Sequence, residues 1–293
     1  MGLLSYLARP DVRRDPYRLA GRRLRFEVER YVLGRRIREQ TVRFDSDLLI
    51  TIDPVNVVER AIYFYGYHEF RMTQLFSRLI SVGRTGLDAG AHIGQYTLLA
   101  SKAVGPSGLV IAAEPNPENV LRLHRNIELN RLSNVRVLPV ALADRNGRAS
   151  MYLALDDEAT ATGSLRSHSD GDRSLEVETV ALDSLELARL DVIKMDVEGA
   201  EPALVAGGLA TLARYRPSIL FEVFSDVAQY RSPEKSTETI DMLRGLGYRI
   251  YGLTGRRGDA VTEVIAGADL IQFKEAWSAL NLLAVHSVLP APP

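Results

Sequence analysis

The stretch GLDAGAHIG, residues 86–94, ends an apolar segment and leads into a segment with helical pattern. In open α/β sheets, ligands bind beyond the carboxyl ends of the strands, where the first strand-to-helix turn brings backbone close to the ligand. Gly90 and Gly94 permit that approach because glycine has no side chain to clash. The stretch therefore predicts an α/β sheet with a ligand site at its first turn.

From this turn onward, short apolar segments alternate with amphipathic ones, as in successive strand–helix units. The predicted strands are 85–89, 109–114, 135–140, 192–196, 219–223, 248–252 and 282–286. The predicted helices include 94–104, 117–130, 201–212 and 236–246. This repetition predicts a doubly wound α/β fold, with a mostly parallel seven-stranded sheet and helices on both faces.

The remaining segments set the predicted domain organisation. Residues 1–60 are expected to form an N-terminal extension, helical at first and then a strand or hairpin at 41–52 with its turn at 45–47. Residues 61–288 form the α/β domain, and 289–293 a proline-rich tail. Residues 153–176 are polar without a clear period, which predicts a long loop.

The composition excludes several classes of protein. With 46% hydrophobic and 25% charged residues, the chain resembles ordinary soluble domains. It contains no cysteine, which excludes a disulfide framework, a thiolate zinc site and a cysteine nucleophile. No uncharged apolar segment approaches the roughly 20 residues that span a bilayer, and none resembles a signal-peptide core. We therefore expect a cytoplasmic protein with no transmembrane segment.

The first 40 residues carry a local excess of positive charge, with eleven arginine and five acidic residues. Such an arm could contact anionic lipid, nucleic acid or an acidic substrate. However, arginine outnumbers lysine thirty-two to four in the whole chain, and acidic neighbours can pair with the arm. We interpret the excess as compositional and predict no nucleic-acid partner. The extension is a candidate surface for association of two copies.

Asp88 narrows the choice of ligand. A dinucleotide site needs the spacing GxGxxG and backbone amides that hold a pyrophosphate. The loop at 86–94 lacks that spacing, and Asp88 would face the phosphates. S-adenosylmethionine has no phosphate and carries a sulfonium and an ammonium group, which an acidic residue favours. The loop therefore favours S-adenosylmethionine, and a nicotinamide-dependent oxidoreductase remains the less favoured alternative.

A second acidic residue follows at the end of the next strand. Glu114 lies twenty residues beyond Gly94 and is followed by Pro115 and Asn116. A carboxylate at this point can accept hydrogen bonds from both hydroxyls of a ribose. The alternative is an acid that stabilises the dipole of the following helix.

The fourth predicted strand ends in the string KMDVEGAE, residues 194–201. Lys194 and Asp196 share one face of the strand because side chains alternate with a period of two. They form either a working acid–base pair or an ion pair that holds the site together. Asp196 is expected to face cofactor or substrate, whereas Glu201 is equally well explained as a first-turn helix acid.

The motifs at 88–94 and 114–116, and above all the string at 194–201, resemble those of the FkbM family of methyltransferases. Segments 66–69 and 181–183 resemble family segments too, and the similarity runs from about residue 63 to 286, roughly three-quarters of the chain. The loop often carries asparagine in the family where this chain has His92. The resemblance implies a class I, Rossmann-like methyltransferase domain at 61–288 that uses S-adenosylmethionine, releases S-adenosylhomocysteine and methylates a hydroxyl group.

The expected site combines these motifs with the segment before the sheet. The resemblance implies that Glu69 reaches over the methionine end of the cofactor, and His68 is a candidate proton acceptor or a half-buried surface histidine. The expected catalytic residues are Asp196, Lys194, Glu198 and His68. The expected cofactor-binding residues are Glu69, Asp88, Gly90, Ala91, His92, Gly94, Glu114, Pro115, Asn116 and Asp196.

The acceptor has no readable sequence code. A small molecule, a sugar or other glycan, or a lipid would each fit an O-methyltransferase. Asp196 and Glu198 offer oxygen ligands that suit magnesium, but two acids two residues apart are weak evidence, and we predict no metal. A module that binds S-adenosylmethionine without catalysis is the main alternative to an enzyme.

Overall fold

A computed structural model describes residues 39–45, 47–153, 163–164, 173–224, 238–254, 260–263 and 279–289. Its helices are α1 (Val57–Tyr65), α2 (Phe70–Leu79), α3 (Gln95–Val104), α4 (Pro117–Leu129), α5 (Glu201–Ala206), α6 (Leu209–Tyr215) and α7 (Glu238–Gly245). The first strands are β1 (Gln40–Arg43), β2 (Leu49–Ile52), β3 (Thr85–Ala89), β4 (Leu109–Ala113), β5 (Val135–Leu138), β6 (Ala141–Ala143) and β7 (Gly147–Leu153). The later strands are β8 (Gly163–Ser164), β9 (Arg173–Ala181), β10 (Val192–Met195), β11 (Ser218–Phe224), β12 (Tyr248–Thr254), β13 (Ala260–Glu263) and β14 (Ala279–His286).

The central sheet has the strand order β13-β12-β14-β11-β10-β3-β4-β5. Strands β5, β4, β3, β10 and β11 are parallel, and β14 pairs antiparallel with both β11 and β12. This arrangement confirms the predicted α/β fold, a mostly parallel sheet built from the seven predicted strands. Strand β13 was not predicted, and it adds an eighth strand as the antiparallel partner of β12.

The sheet is covered on both faces, and for that reason its strands are apolar throughout. All residues of β3 and β10 are buried. Leu87, Ile193 and Phe221 belong to a core with α5, α6 and α7. Val192 and Leu220, which alternate with them, belong to a core with α2 and α3. Successive side chains along each strand thus point to opposite faces of the sheet and pack against different layers of helices.

The β1–β2 hairpin packs on the α/β sheet. Its predicted turn is confirmed by the hydrogen bond that the Leu48 amide donates to the carbonyl of Asp45, 2.7 Å away. Asn126 of α4 and Asn130, which caps the end of α4, accept hydrogen bonds from the amides of Thr51 and Leu49, both at 2.8 Å. Apolar residues of the hairpin share a core with α1, α3 and α4. The domain division remains a prediction, and its boundary at residue 60 falls inside α1.

A second, four-stranded sheet of order β6-β9-β7-β8 follows β5. The predicted loop at 153–176 is therefore wrong in part, because 163–164 and 173–176 are strand residues that pair with β7. Residues 154–162 and 165–172 lie outside the described part of the chain, as do residues 1–38, which hold the predicted N-terminal helix, and the proline-rich residues 290–293 of the tail.

The predicted helix 201–212 is two helices, α5 and α6. Gly207 lies between them, and a Cβ atom there would be 2.0 Å from the carbonyl oxygen of Ala143. The chain must pass close to β6 at this point, which a continuous helix with a side chain would prevent. In the part of the chain that the structure describes, no helix has the length and apolar character needed to cross a membrane.

Candidate functional site

A cavity of about 390 Å³ opens at the carboxyl ends of the central strands. Its wall contains most of the predicted site residues: His68, Glu69, Gly90, Ala91, His92, Glu114, Pro115, Lys194, Asp196 and Glu198. Asp88, Gly94 and Asn116 are not part of this wall. The structure thus brings the predicted motifs together, and it places three of the predicted cofactor ligands behind the surface that a ligand would touch.

Gly90 is required by the neighbouring strand. Its φ is +80°, and a Cβ atom would be 1.8 Å from the backbone oxygen of Asp196. The amides of Gly90 and Ala91 both donate to the carbonyl of Ala113, at 2.9 and 3.0 Å. The turn after β3 is therefore held between the ends of β4 and β10. The sequence predicted that Gly90 allows a ligand to come close to the backbone. In the structure, the absence of a side chain at Gly90 allows the backbone of Asp196 to come close.

His92 and Gly94 complete this turn in left-handed conformations, with φ of +50° and +100°. Histidine and asparagine are among the non-glycine residues that adopt this region most readily. The difference from the asparagine common in the family is therefore compatible with the turn. Gly94 precedes α3, and a Cβ atom there would lie 2.6 Å from Leu123 Cδ1. Its role in this structure is helix packing.

Asp88 is buried beneath the cavity wall and supports the residues that line the cavity. The carboxylate is buried and accepts a hydrogen bond from the Thr97 hydroxyl at 2.5 Å, which ties β3 to α3. Burial raises the pKa of Asp88 to about 6, although Thr97 and Lys194 lower it. Asp88 lies beside Lys194 in the sheet register. It supports the turn and the lysine rather than lining the cavity.

Glu114 lies at the end of β4, where three hydrogen bonds fix its carboxylate. Oε2 accepts from the His92 amide at 2.8 Å, and Oε1 accepts from the Asn116 amide and Asn119 Nδ2 at 3.0 and 3.3 Å. Burial raises its pKa to about 7, against the effect of these donors. A carboxylate offers about four acceptor positions, so Oε2 retains one for a ligand. The Asn116 side chain caps α4 by accepting from the Glu118 amide.

Lys194 is buried and forms an ion pair with the partly exposed Asp196, with 2.7 Å between Nζ and Oδ2. Burial alone would lower the pKa of Lys194, but the charges of Asp196 and Glu69 raise it above its usual value. Burial would raise the pKa of Asp196, yet Lys194 lowers it. The Lys194 ammonium also lies 4.8 Å from the centre of the Tyr96 ring. Of the two predicted alternatives, this geometry matches the ion pair.

Around this one lysine the wall contains four carboxyl groups, those of Glu69, Asp196, Glu198 and Glu222. Glu69 accepts hydrogen bonds from the Tyr96 hydroxyl and from Asn281 Nδ2, at 3.2 and 2.8 Å. Burial raises the pKa of Glu198 to about 8 and that of Glu222 to about 10, and Asp196 adds to both shifts. An excess of buried acid of this kind favours a cationic ligand.

Two buried polar atoms at the cavity have no hydrogen-bond partner among the described residues, Asp196 Oδ1 and His92 Nε2. Burial lowers the pKa of His92 to about 3, with a contribution from Arg122, so the imidazole is neutral. Buried polar atoms without partners are uncommon in folded proteins. Asp196 Oδ1 belongs to a residue of the cavity wall that neighbours Glu222, whereas His92 Nε2 lies 3.8 Å from Glu59 Oε1.

Glu201 does not line the cavity. Its Oε1 accepts from the amides of Val197 and Gly199, both at 3.2 Å, and so it closes the turn after β10. The alternative prediction for Glu201, a structural acid at the first turn of a helix, matches this geometry. Gln95 has a comparable role: its side chain accepts from the His68 amide at 2.7 Å and donates to the His68 carbonyl at 3.0 Å.

The prediction missed Glu222, Gln95, Tyr96 and Asn281. Glu222 interrupts the apolar run SILFEVF of β11, and Asn281 interrupts ALNLLAVH of β14. A lone polar residue in a buried strand was the available signal, because such a residue needs a partner or a ligand. Gln95 and Tyr96 gave no such signal, since polar and aromatic residues are ordinary at a helix start.

Comparison with known proteins agrees with this geometry. The family model described as the methyltransferase FkbM domain matches residues 88–250, more than half of the chain. The chain belongs to the FkbM methyltransferase family. This membership confirms the predicted resemblance, and it weighs against the alternative of a nicotinamide-dependent oxidoreductase.

Individual relatives are more distant. The chain is 30% identical to the 2-O-methyltransferase NoeI of Sinorhizobium fredii (strain NBRC 101917 / NGR234) over 155 residues, which cover 47% of this chain and 62% of NoeI. A crystal structure of methyltransferase FkbM from Methylobacillus flagellatus KT matches at 14% identity and a TM-score of 0.42, covering 78% of this chain and 54% of that one. M. jannaschii TYW2 in complex with AdoMet matches at 14% identity and a TM-score of 0.40, with 84% of each chain covered.

Proposed function

We propose that the protein transfers the methyl group of S-adenosylmethionine to a hydroxyl group of a small-molecule, glycan or lipid acceptor, with S-adenosylhomocysteine as the second product. The observation that carries this proposal is the cavity at the strand ends, where four carboxyl groups surround one lysine. Membership of the FkbM family supports the reaction class. The name of NoeI, a 2-O-methyltransferase, supports an oxygen atom as the acceptor.

The residues present fit S-adenosylmethionine at both of its ends. Glu114 has an acceptor position left on Oε2, which suits a ribose hydroxyl. The carboxyl cluster suits a ligand with a sulfonium and an ammonium group. The predicted contacts of Gly90, Ala91, His92 and Pro115 remain proposals, supported by their place in the wall.

When bound, S-adenosylmethionine supplies an activated methyl group, and the protein must position the acceptor and exclude water. Lys194 keeps its proton because nearby carboxylates raise its pKa, so we assign it to orienting Asp196 rather than to accepting a proton. Ile62, Leu142 and Met151 provide apolar wall that excludes water. Glu198 and His68 are the proposed contacts of the acceptor hydroxyl.

The proposal is tested by titrating S-adenosylmethionine into the protein in a calorimeter. Glu114→Gln and Asp196→Asn should each weaken binding by about tenfold or more, because each replaces a carboxylate in the cavity wall with a neutral amide. Glu128→Gln, which removes a charge from the exposed end of α4, is the matched control and should leave binding unchanged. Absence of binding to the unmodified protein would refute the proposal.

Catalysis is separated from mere binding by a second measurement. Formation of S-adenosylhomocysteine in the presence of a cell extract from the source organism should depend on Asp196 and on a fraction of that extract. If S-adenosylmethionine binds and no extract fraction yields S-adenosylhomocysteine, the alternative of a non-catalytic binding module is favoured. The N-terminal extension as a surface for self-association stays a proposal, which sedimentation of the full chain and of a chain lacking residues 1–38 would test.

A further inference from the structure

Asp196 and Glu222 lie side by side at the cavity. In the parallel register, Met195 of β10 is opposite Phe221 of β11, so the next residues along, Asp196 and Glu222, are neighbours. Their side chains are close enough for each to act on the pKa of the other, and both line the cavity. Two carboxyl groups this close cannot both be ionised without cost, so they favour sharing one proton.

The surroundings determine how this pair titrates. Besides each other, Lys194, Glu69, Glu198 and His68 act on its charge. Lys194 is bonded to Asp196 and keeps that carboxylate ionised. Asp196 Oδ1 receives no hydrogen bond from an N–H or hydroxyl group of the described residues, which leaves a ligand or a protonated Glu222 as its donor. The ion pair of Asp196 with Lys194 and the raised pKa of Glu222 together favour the proton on Glu222.

We propose that Asp196 and Glu222 act as one carboxyl pair that takes the proton of the acceptor hydroxyl during methyl transfer. The inference rests on the proposed function and adds Glu222 to its catalytic residues. The positive charge of bound S-adenosylmethionine would lower the proton affinity of the pair, so its shared proton would leave to solvent. The acceptor oxygen then forms a bond to the methyl carbon while the bond from that carbon to sulfur breaks, its electron pair remaining on sulfur. The hydroxyl proton passes to the pair.

The balance of charge explains why a pair suits this reaction. Methyl transfer removes the positive charge of the sulfonium, which raises the proton affinity of nearby carboxylates at the same moment as the acceptor releases its proton. The proton thus moves to the pair when the pair binds it more strongly. A single exposed carboxylate, with an ordinary pKa near 4, would be a far weaker acceptor.

The test measures protons released on cofactor binding and needs no acceptor. S-adenosylmethionine is titrated calorimetrically at pH 9, in buffers of different ionisation enthalpy, into the unmodified protein and into Glu222→Gln. At this pH Glu198, with a pKa of about 8, is mostly ionised, whereas Glu222, with a pKa of about 10, is mostly protonated. The unmodified protein should release more protons than Glu222→Gln, by roughly half a proton or more. The ligand's own amino group contributes equally to both.

Three comparisons make the result specific. S-adenosylhomocysteine, which lacks the sulfonium, should give equal proton counts with the two proteins. Glu198→Gln should retain the proton release, and Asp196→Asn should lose it. Asp196→Asn also serves if Glu222→Gln does not fold, as judged by circular dichroism. Equal proton release from the unmodified protein and Glu222→Gln, or loss with Glu198→Gln alone, would overturn the inference while S-adenosylmethionine still bound. Failure of S-adenosylmethionine to bind at all would instead refute the proposed function.

Discussion

The α-carbon of Gly90 faces the backbone carbonyl of Asp196 so closely that a Cβ atom would be 1.8 Å from its oxygen. Gly90 also has a φ of +80°, which side chains disfavour. The backbone of the turn after β3 therefore packs directly against the backbone of Asp196, which belongs to the carboxyl cluster. A change at Gly90 must displace Asp196.

We expect Gly90→Ala to lower the free energy of unfolding by about 2 kcal/mol or more, because the overlap cannot be relieved without backbone movement. S-adenosylmethionine binding should weaken in parallel. Thermal unfolding and calorimetry measure the two effects. Gly245→Ala is the control, since a Cβ atom there has no neighbour within 4 Å, and it should not destabilise the fold. Equal melting temperatures for the two variants would contradict this prediction.

The buried pair of Glu59 and Arg122 should contribute strongly to stability. Glu59 is fully buried, and its two carboxylate oxygens accept hydrogen bonds at 2.6 and 2.5 Å from the Arg122 guanidinium. Glu59→Gln should cost about 3 kcal/mol in urea unfolding because it leaves the arginine charge without its buried partner. By contrast, Arg148→Gln breaks the exposed pair with Glu176 and should cost under about 1 kcal/mol. Similar costs for both would argue against burial as the cause.

The pKa of Glu114 predicts how stability depends on pH. Burial raises it to about 7 from an ordinary value of 4.5, so the folded protein holds this proton over a range where the unfolded chain has lost it. Stability from this residue therefore falls as pH rises from about 4.5 through 7. Glu114→Gln cannot titrate there. Relative to the unmodified protein, Glu114→Gln should gain on the order of 2 kcal/mol between pH 5 and 8.

Urea unfolding at several pH values in this range measures that difference. Glu128→Gln, at an exposed position, should show a constant offset from the unmodified protein. If the offset of Glu114→Gln is also constant, the raised pKa of Glu114 is disproved. The raised pKa values of Glu198 and Glu222 act in both proteins and cancel in the comparison, whereas the charge of Asp88 contributes to the Glu114 shift and is part of the measured difference.

Thr97→Val tests the hydrogen bond between Thr97 and the buried carboxylate of Asp88. The change preserves shape but removes the hydroxyl that donates to Asp88, which leaves a buried carboxylate without that donor. We expect a loss of about 1–3 kcal/mol in the free energy of unfolding. Thr41→Val, at the exposed Thr41–Thr51 pair, should change stability by no more than about 0.5 kcal/mol. A stable Thr97→Val protein would mean that Asp88 does not need this bond.

The sequence predicted the central sheet because its strands are buried on both faces and therefore form apolar runs with clear gaps. The second sheet escaped prediction because β7 is partly exposed, with small and polar residues in its first half, and β9 carries several charged residues. The sequence predicted one helix where the structure has α5 and α6. The break is at Gly207, which must lie close to β6, and β6 is distant in sequence. Such long-range contacts have no local pattern.

The sequence motifs predicted where the cavity lies. Which of their residues line it, and which support it through hydrogen bonds, could be read only from the structure. Asp88 and Asn116 carry the expected residue types, yet their side chains bond to Thr97 and to the amide of Glu118. Glu222 was overlooked because no motif contains it. Its importance follows from the register of β10 and β11, which places it next to Asp196.

The two asparagines at the carboxyl-terminal end of α4, Asn126 and the cap residue Asn130, hold the β1–β2 hairpin, and this has a practical consequence for protein engineering. Asn126 and Asn130 bond to the backbone of β2, and Asn126 also donates to the carbonyl of Ile93 in the first turn of the sheet. A fragment cut at residue 60 would lose the hairpin, leave these amides facing water and expose the apolar side of α4. A minimal expressible fragment should therefore start before Gln40, and fusion partners are best attached upstream of that residue.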